Sequence, residues 1–126
     1  MMTTERYMNR DERIAQLSGI LGIALKSGML IRGQGSVRNE LRKGSRLLVI
    51  LANDHSRNVL SMIEGYRRRG QCRVLVADQL QRSDIRDLLF LGDIQILALP
   101  LGNGLTGKIE MLVTGGGDNN EQDKSL

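Results

Sequence analysis

The chain is poor in the residues that most often carry chemistry. It has no tryptophan, one phenylalanine and two tyrosines. The core must therefore be aliphatic, and recognition of bases by stacking on an exposed aromatic platform is not expected. The single cysteine, Cys72, excludes an intramolecular disulfide, and its setting in the apolar run CRVLVA suggests a buried, reduced thiol. The single histidine, His55, excludes a histidine cluster, and with no Cys/His grouping a zinc site has no support. No run approaches the ~20 apolar residues needed to cross a bilayer. The opening MMTTERYMNRDER has no apolar signal region, so the cytoplasm is the expected compartment.

What is present is length, aliphatic content and positive charge. At 126 residues, 40% of them hydrophobic, the chain suits one domain with a real core. Net charge is +4, unevenly spread: the segment from Gly115 holds Asp118, Glu121 and Asp123 against Lys124. The remainder is correspondingly more basic, which suits a polyanionic partner.

Apolar spacing divides the chain into nine elements. Asn9 and Glu12 have capping-box spacing ahead of Ile14, Leu17, Leu21, Ala24 and Leu25, and Gly28 ends that helix. Gly19 and Gly22 fall inside it, where they are expected to permit close packing. MLIR is a short strand. A second helix starts near Gly33 to Gly35, turns Val37 and Leu41 inward, and ends at Gly44. LLVILA, 47 to 52, reads as a strand buried on both faces. Asn53 to Ser56 cap a third helix with Val59, Met62, Ile63 and Tyr66 on its apolar face, closing on Arg67, Arg68 and Arg69. CRVLVA is the third strand. Ser83 is expected to cap a helix with Ile85, Leu88 and Leu89 inside, and Gly92-Asp93 to turn the chain into a strand over 94–99 that Pro100 ends. A last helix covers 104–113. The expected organisation is a flexible arm over 1–9, a single domain over 10–113 and a disordered acidic tail over 114–126. The alternation implies α/β class: a three-layer α/β/α sandwich.

Three stretches invite a chemical reading. In LGNGLTGKIE, Gly102, Gly104 and Gly107 satisfy G-x-G-x-x-G, and Gly102, Gly107 and Lys108 satisfy most of a P-loop. Ile109 stands where a P-loop needs a magnesium-binding hydroxyl, and no strand follows to present an acid to a ribose. A tight turn using glycines at positive φ is the simpler expectation. Asp54, His55 and Ser56 are the residue types of a hydrolase triad, but adjacent residues cannot let the base bridge the other two, so capping is expected instead. RGQGSVRNELRKG, 32 to 44, places four basic side chains and three glycines in thirteen residues. A helix starting there offers free N–H groups and a positive dipole end to an anion, with Arg38 and Arg42 one turn apart on its outer face.

LGIALKSGMLIRG, GQGSVRNELRKGSRLLVILANDHS and GNGLTGKIEML together resemble the ribosomal-protein superfamily of the large-subunit proteins seven-Ae and thirty-e, which bind kink-turn RNA, and its bacterial YlxQ-like branch in particular. The resemblance covers about three quarters of the chain, Gly19 to Val113. It implies an α/β/α sandwich around a four-stranded mixed sheet. It also implies RNA binding at the start of the second helix, through Gly33, Gln34, Gly35, Ser36 and Asn39, with Leu91, Gly92 and Asp93 in the loop before the last strand. The family commonly carries an Asn-Glu pair where Gly35-Ser36 stand here, and lysine in place of Asn39. Arg32, Arg38, Arg42, Lys43 and Arg46 are expected to surround the same helix end and supply phosphate contacts. About four neutralised phosphates would give a log affinity against log salt slope of about −3 to −4.

The expectation is a non-enzymatic protein, without cofactor or metal, whose partner is structured RNA: ribosomal or other non-coding RNA, on the ribosome or apart from it. A protein-interaction module on the same fold is the competing reading, because fold constrains function loosely. A nucleotide-binding enzyme using Gly102 to Lys108 comes third.

Overall fold

The computed structural model describes residues 9–90 and 92–114. The expected arm and acidic tail, apart from Asn9 and Thr114, lie outside the described residues, as do Leu91 and the side chain of Leu88. Five helices and four strands alternate: α1 (Arg10–Lys26), β1 (Ile31–Arg32), α2 (Gln34–Arg42), β2 (Leu47–Ala52), α3 (Arg57–Arg68), β3 (Cys72–Ala77), α4 (Arg82–Leu89), β4 (Ile96–Pro100) and α5 (Gly104–Val113).

The strands form one mixed sheet in the order β1-β4-β2-β3. β2 and β3 are parallel, while β4 runs antiparallel to both β2 and β1. β2 is central and buried along its whole length. Its side chains alternate between two cores, as strand geometry requires. Leu48, Ile50 and Ala52 join Leu17, Leu21 and Ala24 of α1, Ile85 and Leu89 of α4, and Ile109, Leu112 and Val113 of α5. Leu47, Val49 and Leu51 join Val37 and Leu41 of α2 and Val59 and Ile63 of α3. Three helices thus cover one face and two the other, the expected α/β/α sandwich. Each such buried aliphatic side chain contributes about 1.5–3 kcal/mol by leaving water, which is how a chain this poor in aromatics still holds its layers.

Local signals set most boundaries. Glu12 N donates to Asn9 Oδ1 (2.8 Å) and Asn9 N donates to Glu12 Oε1 (2.9 Å), a complete capping box at α1. Ser56 Oγ accepts from Val59 N at α3. Three expectations need correction. α4 starts at Arg82 rather than after Ser83: Gln81 is its N-cap, with Gln81 N donating to Asp84 Oδ2 (2.8 Å), and Asp54 Oδ1, in the turn after β2, accepts from Arg82 N at 2.9 Å. β4 starts at Ile96, since Ile94 N is turned back to Gly92 O, and Pro100 is its last paired residue, opposite Leu47. Gly19 and Gly22 do not serve close packing: a Cβ at either would meet no atom within 4 Å.

Candidate functional site

The topology brings the start of α2 to the end of the sheet where β2 and β3 finish and β4 begins. Gly33 is the N-cap of α2, at φ 87° and ψ 160°, backbone angles open essentially to glycine alone. Its N–H donates to Ile96 O (2.9 Å), which ties the helix start to the first residue of β4, and its carbonyl accepts the first helical bond, from Val37 N. The Gly92-Asp93 turn, with Gly92 at φ 77°, lies just before it, separated by Ile94 and Gln95. Gln95 locks the segment to the neighbouring turn: its carbonyl accepts from Ala52 N and its side chain from Ser56 N at 2.5 Å. The two segments named from the sequence therefore share one end of the sheet.

The start of α2 differs from the other helix starts. Asn9, Ser56 and Asn103 cap α1, α3 and α5 with their side chains, and at the start of α4 Asp84 and Asp54 accept from Gln81 N and Arg82 N. Among the described residues no side chain caps α2. Its first-turn donors, the N–H groups of Gln34, Gly35 and Ser36, precede the first intrahelical bond and carry the positive end of the helix dipole. Gly35 and Ser36 are exposed, and a Cβ on Gly35 would meet nothing within 4 Å. The backbone there is open to an approaching anion.

A groove of about 270 Å³ runs between β1 and α2, lined by Leu30, Ile31, Arg32, Ser36, Asn39, Glu40 and Lys43. Arg32 and Asn39 are exposed and Arg38 is half-buried. Glu40 is not a free acid in this groove. The Ser45 hydroxyl donates to it at 2.8 Å and Lys43 Nζ at 3.3 Å, and these two partners hold its carboxyl below the usual range.

The five basic residues do not surround one helix end. Arg42 is in the last turn of α2, Lys43 is its C-cap, and Arg46 immediately precedes β2. Eight residues at 1.5 Å rise put Arg42 about 12 Å along the axis from Gln34. Only Arg32 and Arg38 stand near the open amides, and the acid Asp93 is exposed in the adjoining loop. Charge is therefore thinner at the α2 start than the sequence suggested. Phe90 is the feature that sequence reading missed. The only phenylalanine of the chain, it ends α4 in the left-handed region (φ 56°, ψ 41°) and is 88% exposed, five residues before Gln95. Its isolation among aliphatics was the one available signal.

The other two chemical stretches resolve into structure. Gly102, Gly104 and Gly107 are not at positive φ, contrary to expectation. The turn is held instead by Asn103, whose Oδ1 accepts from Leu105 N, and by the buried Thr106, whose hydroxyl donates to Pro100 O. Asp54 Oδ1 is engaged with Arg82 N, His55 Nδ1 lies 2.7 Å from Ala52 O, and Ser56 Oγ caps Val59, so the three side chains face three different partners.

No protein-family model matches the chain, and no curated protein does. Solved structures do share its fold. A protein of unknown function from Bacillus halodurans superposes with a TM-score of 0.68 at 20% identity, over 79% of this chain and 98% of that one. The 15.5 kD RNA binding protein of Giardia lamblia superposes with a TM-score of 0.58 at 19% identity, over 86% of this chain and 96% of that one. At these identities the likeness establishes a common fold. No helix among the described residues is long and apolar enough to cross a membrane.

Proposed function

We propose that this protein is a non-enzymatic RNA-binding protein that receives structured RNA at the start of α2. The observation that carries the proposal is the open first turn: exposed amides at Gly35 and Ser36, no side-chain cap among the described residues, and Gly33 fixing the helix against β4. Such a turn is built to accept a phosphate or another anionic oxygen. The name of the Giardia neighbour supports RNA as the ligand. In this reading Arg32 and Arg38 flank the open turn, Gln34, Ser36 and Asn39 offer side-chain hydrogen bonds, and Gly92 with Asp93 borders it. Leu91 belongs to the same loop by sequence.

Glycine at 35 has no side chain to read a base edge, so phosphate and sugar contacts dominate and sequence preference is weak. The kink-turn resemblance makes that RNA the first to test, and ribosomal or other non-coding RNA the wider class. Titration with a kink-turn RNA, a plain RNA duplex and ATP, repeated with Arg38→Ala and Lys108→Ala, separates the readings. RNA binding weakened by Arg38→Ala and untouched by Lys108→Ala is the expected result. ATP binding abolished by Lys108→Ala would assign a nucleotide site instead, and absence of binding to either RNA at moderate salt would favour a protein-interaction module. Restoring an Asn-Glu pair with Gly35→Asn and Ser36→Glu should raise kink-turn affinity if the scaffold is that of a kink-turn reader.

A further inference from the structure

The strongest positive charge in the described residues lies at the other end of the sheet. β2 and β3 are parallel, so the C-termini of α2 and α3, which lead into them, arrive side by side. α2 brings Arg42, Lys43 and then Arg46; α3 brings Arg67, Arg68 and Arg69, and all six are exposed. The two segments are joined through Gln71. Its side-chain amide donates to Leu41 O (2.5 Å) and Ser45 O (3.0 Å), its N–H donates to Tyr66 O, and its carbonyl accepts from Leu47 N. Arg69 is held over the Tyr66 ring, 4.8 Å from its centre. Two acids belong to these segments, Glu40 paired with Lys43 and Glu64 paired with Arg67. Arg42, Arg46 and Arg68 have no acidic partner among the described residues.

One cation per helix end satisfies the helix dipole. Six across two adjoining ends, four of them beyond the pairs with Glu40 and Glu64, exceed that need and repel one another in the free protein, a cost that a polyanion removes on binding. Five of the six are arginine, whose planar fork matches phosphate oxygens in pairs. Among the described residues the exposed large apolar side chains, Ile23, Val76, Phe90 and Met111, belong to α1, β3, the end of α4 and α5, not to these segments, so no described apolar side chain anchors the patch to a lipid surface.

We infer that this basic pole, built from the converging ends of α2 and α3, is a second RNA-binding surface that takes the phosphate backbone of a duplex. It works by different chemistry from the α2 start: guanidinium groups rather than backbone amides. It does not rest on the reading of that site. Together the two surfaces give one RNA two points of contact on opposite ends of the sheet, with the groove between β1 and α2 running from Arg32 to Lys43.

The test uses the full chain and a plain RNA duplex, with affinity measured across a salt series. The variant Arg42→Gln/Arg46→Gln/Arg68→Gln removes three exposed charges with no described hydrogen bond, and its thermal midpoint checks that it folds. Loss of three phosphate contacts should flatten the log affinity against log salt slope by about 2 to 3 and lower affinity about tenfold or more near 0.1 M salt. Wild-type affinity with an unchanged slope overturns the inference. Gly35→Asp, measured beside it, reports on the α2 site alone. A loss confined to Gly35→Asp removes the pole and keeps the α2 site, while a loss confined to the triple variant does the reverse. Binding of polyglutamate or phosphatidylglycerol vesicles as tightly as the duplex at matched salt would overturn the choice of RNA. If the triple variant fails to fold, Arg68→Gln and Arg46→Gln singly, each expected to flatten the slope by about 0.9, carry the same test.

Discussion

Replacing Gly35 with aspartate should make the protein more stable and a worse RNA binder. The position is the second residue of α2, in ordinary helical backbone, where a Cβ meets no atom within 4 Å. Glycine there costs about 0.1–0.3 kcal/mol of helix propensity against aspartate. A carboxylate in the first turn of a helix whose start lacks a side-chain cap adds about 0.3–1 kcal/mol through the dipole. The sum, about 0.4–1.3 kcal/mol, should raise the thermal midpoint by a few degrees, at ~3–5 °C per kcal/mol for a domain of this size. The same carboxylate would lie where a phosphate is proposed to bind. Two phosphates at ~5 Å in water-like dielectric repel it by about 1.5 kcal/mol, a loss of about tenfold before any direct contact is counted. Calorimetry and an RNA titration read the two effects separately. A gain in stability with unchanged affinity for structured RNA would show that anions do not bind the open turn. A loss of both would mean that Gly35 serves the fold.

Other consequences follow from individual contacts. Gly33→Ala should cost about 1–3 kcal/mol in chemical denaturation, although the added methyl has open space, because φ 87° with ψ 160° is strained for any residue with a Cβ. Gln79 is buried and its side-chain amide donates to the last carbonyls of α5, Leu112 O at 2.9 Å and Val113 O at 3.4 Å; Gln79→Ala should cost about 1–3 kcal/mol by leaving them unpaired, measured by the same denaturation. Burial pushes the Cys72 thiol above its usual pKa, so native protein should react slowly with a thiol reagent at pH 8 and at full rate only in denaturant.

Much of the fold could be read from local chemistry, because its signals are local. The Asn9–Glu12 box, the Ser56 cap and the uninterrupted apolar run of β2 each announce themselves within a few residues. What escaped depends on side-chain to backbone bonds, one of them from far along the chain. At the start of α4, Gln81 N donates to Asp84 and Arg82 N to Asp54, 28 residues away, a pairing that Ser83 as the nearest hydroxyl does not announce. Gly102 and Gly104 looked like enforced turns, but Asn103 and Thr106 hold that turn at ordinary φ.

The candidate site divides in the same way. The Gly33 to Ser36 turn was visible as glycines beside a helix start. Its convergence with the Gly92-Asp93 turn needed the resemblance, since only the β1–β4 pairing brings Gly33 to Ile96. Arg42, Lys43 and Arg46 are close to the α2 start in sequence but not in space. Nine residues of helix separate the two ends, and the parallel pairing of β2 with β3 gives those cations Arg67 to Arg69 as neighbours instead.

The most direct test of the α2 assignment is an amide-resolved NMR titration of the protein with a structured RNA at moderate salt. The account predicts the largest shifts at the N–H groups of Gln34, Gly35 and Ser36, with smaller ones at Gly92 and Asp93. RNA binding that leaves those three amides unmoved would contradict it.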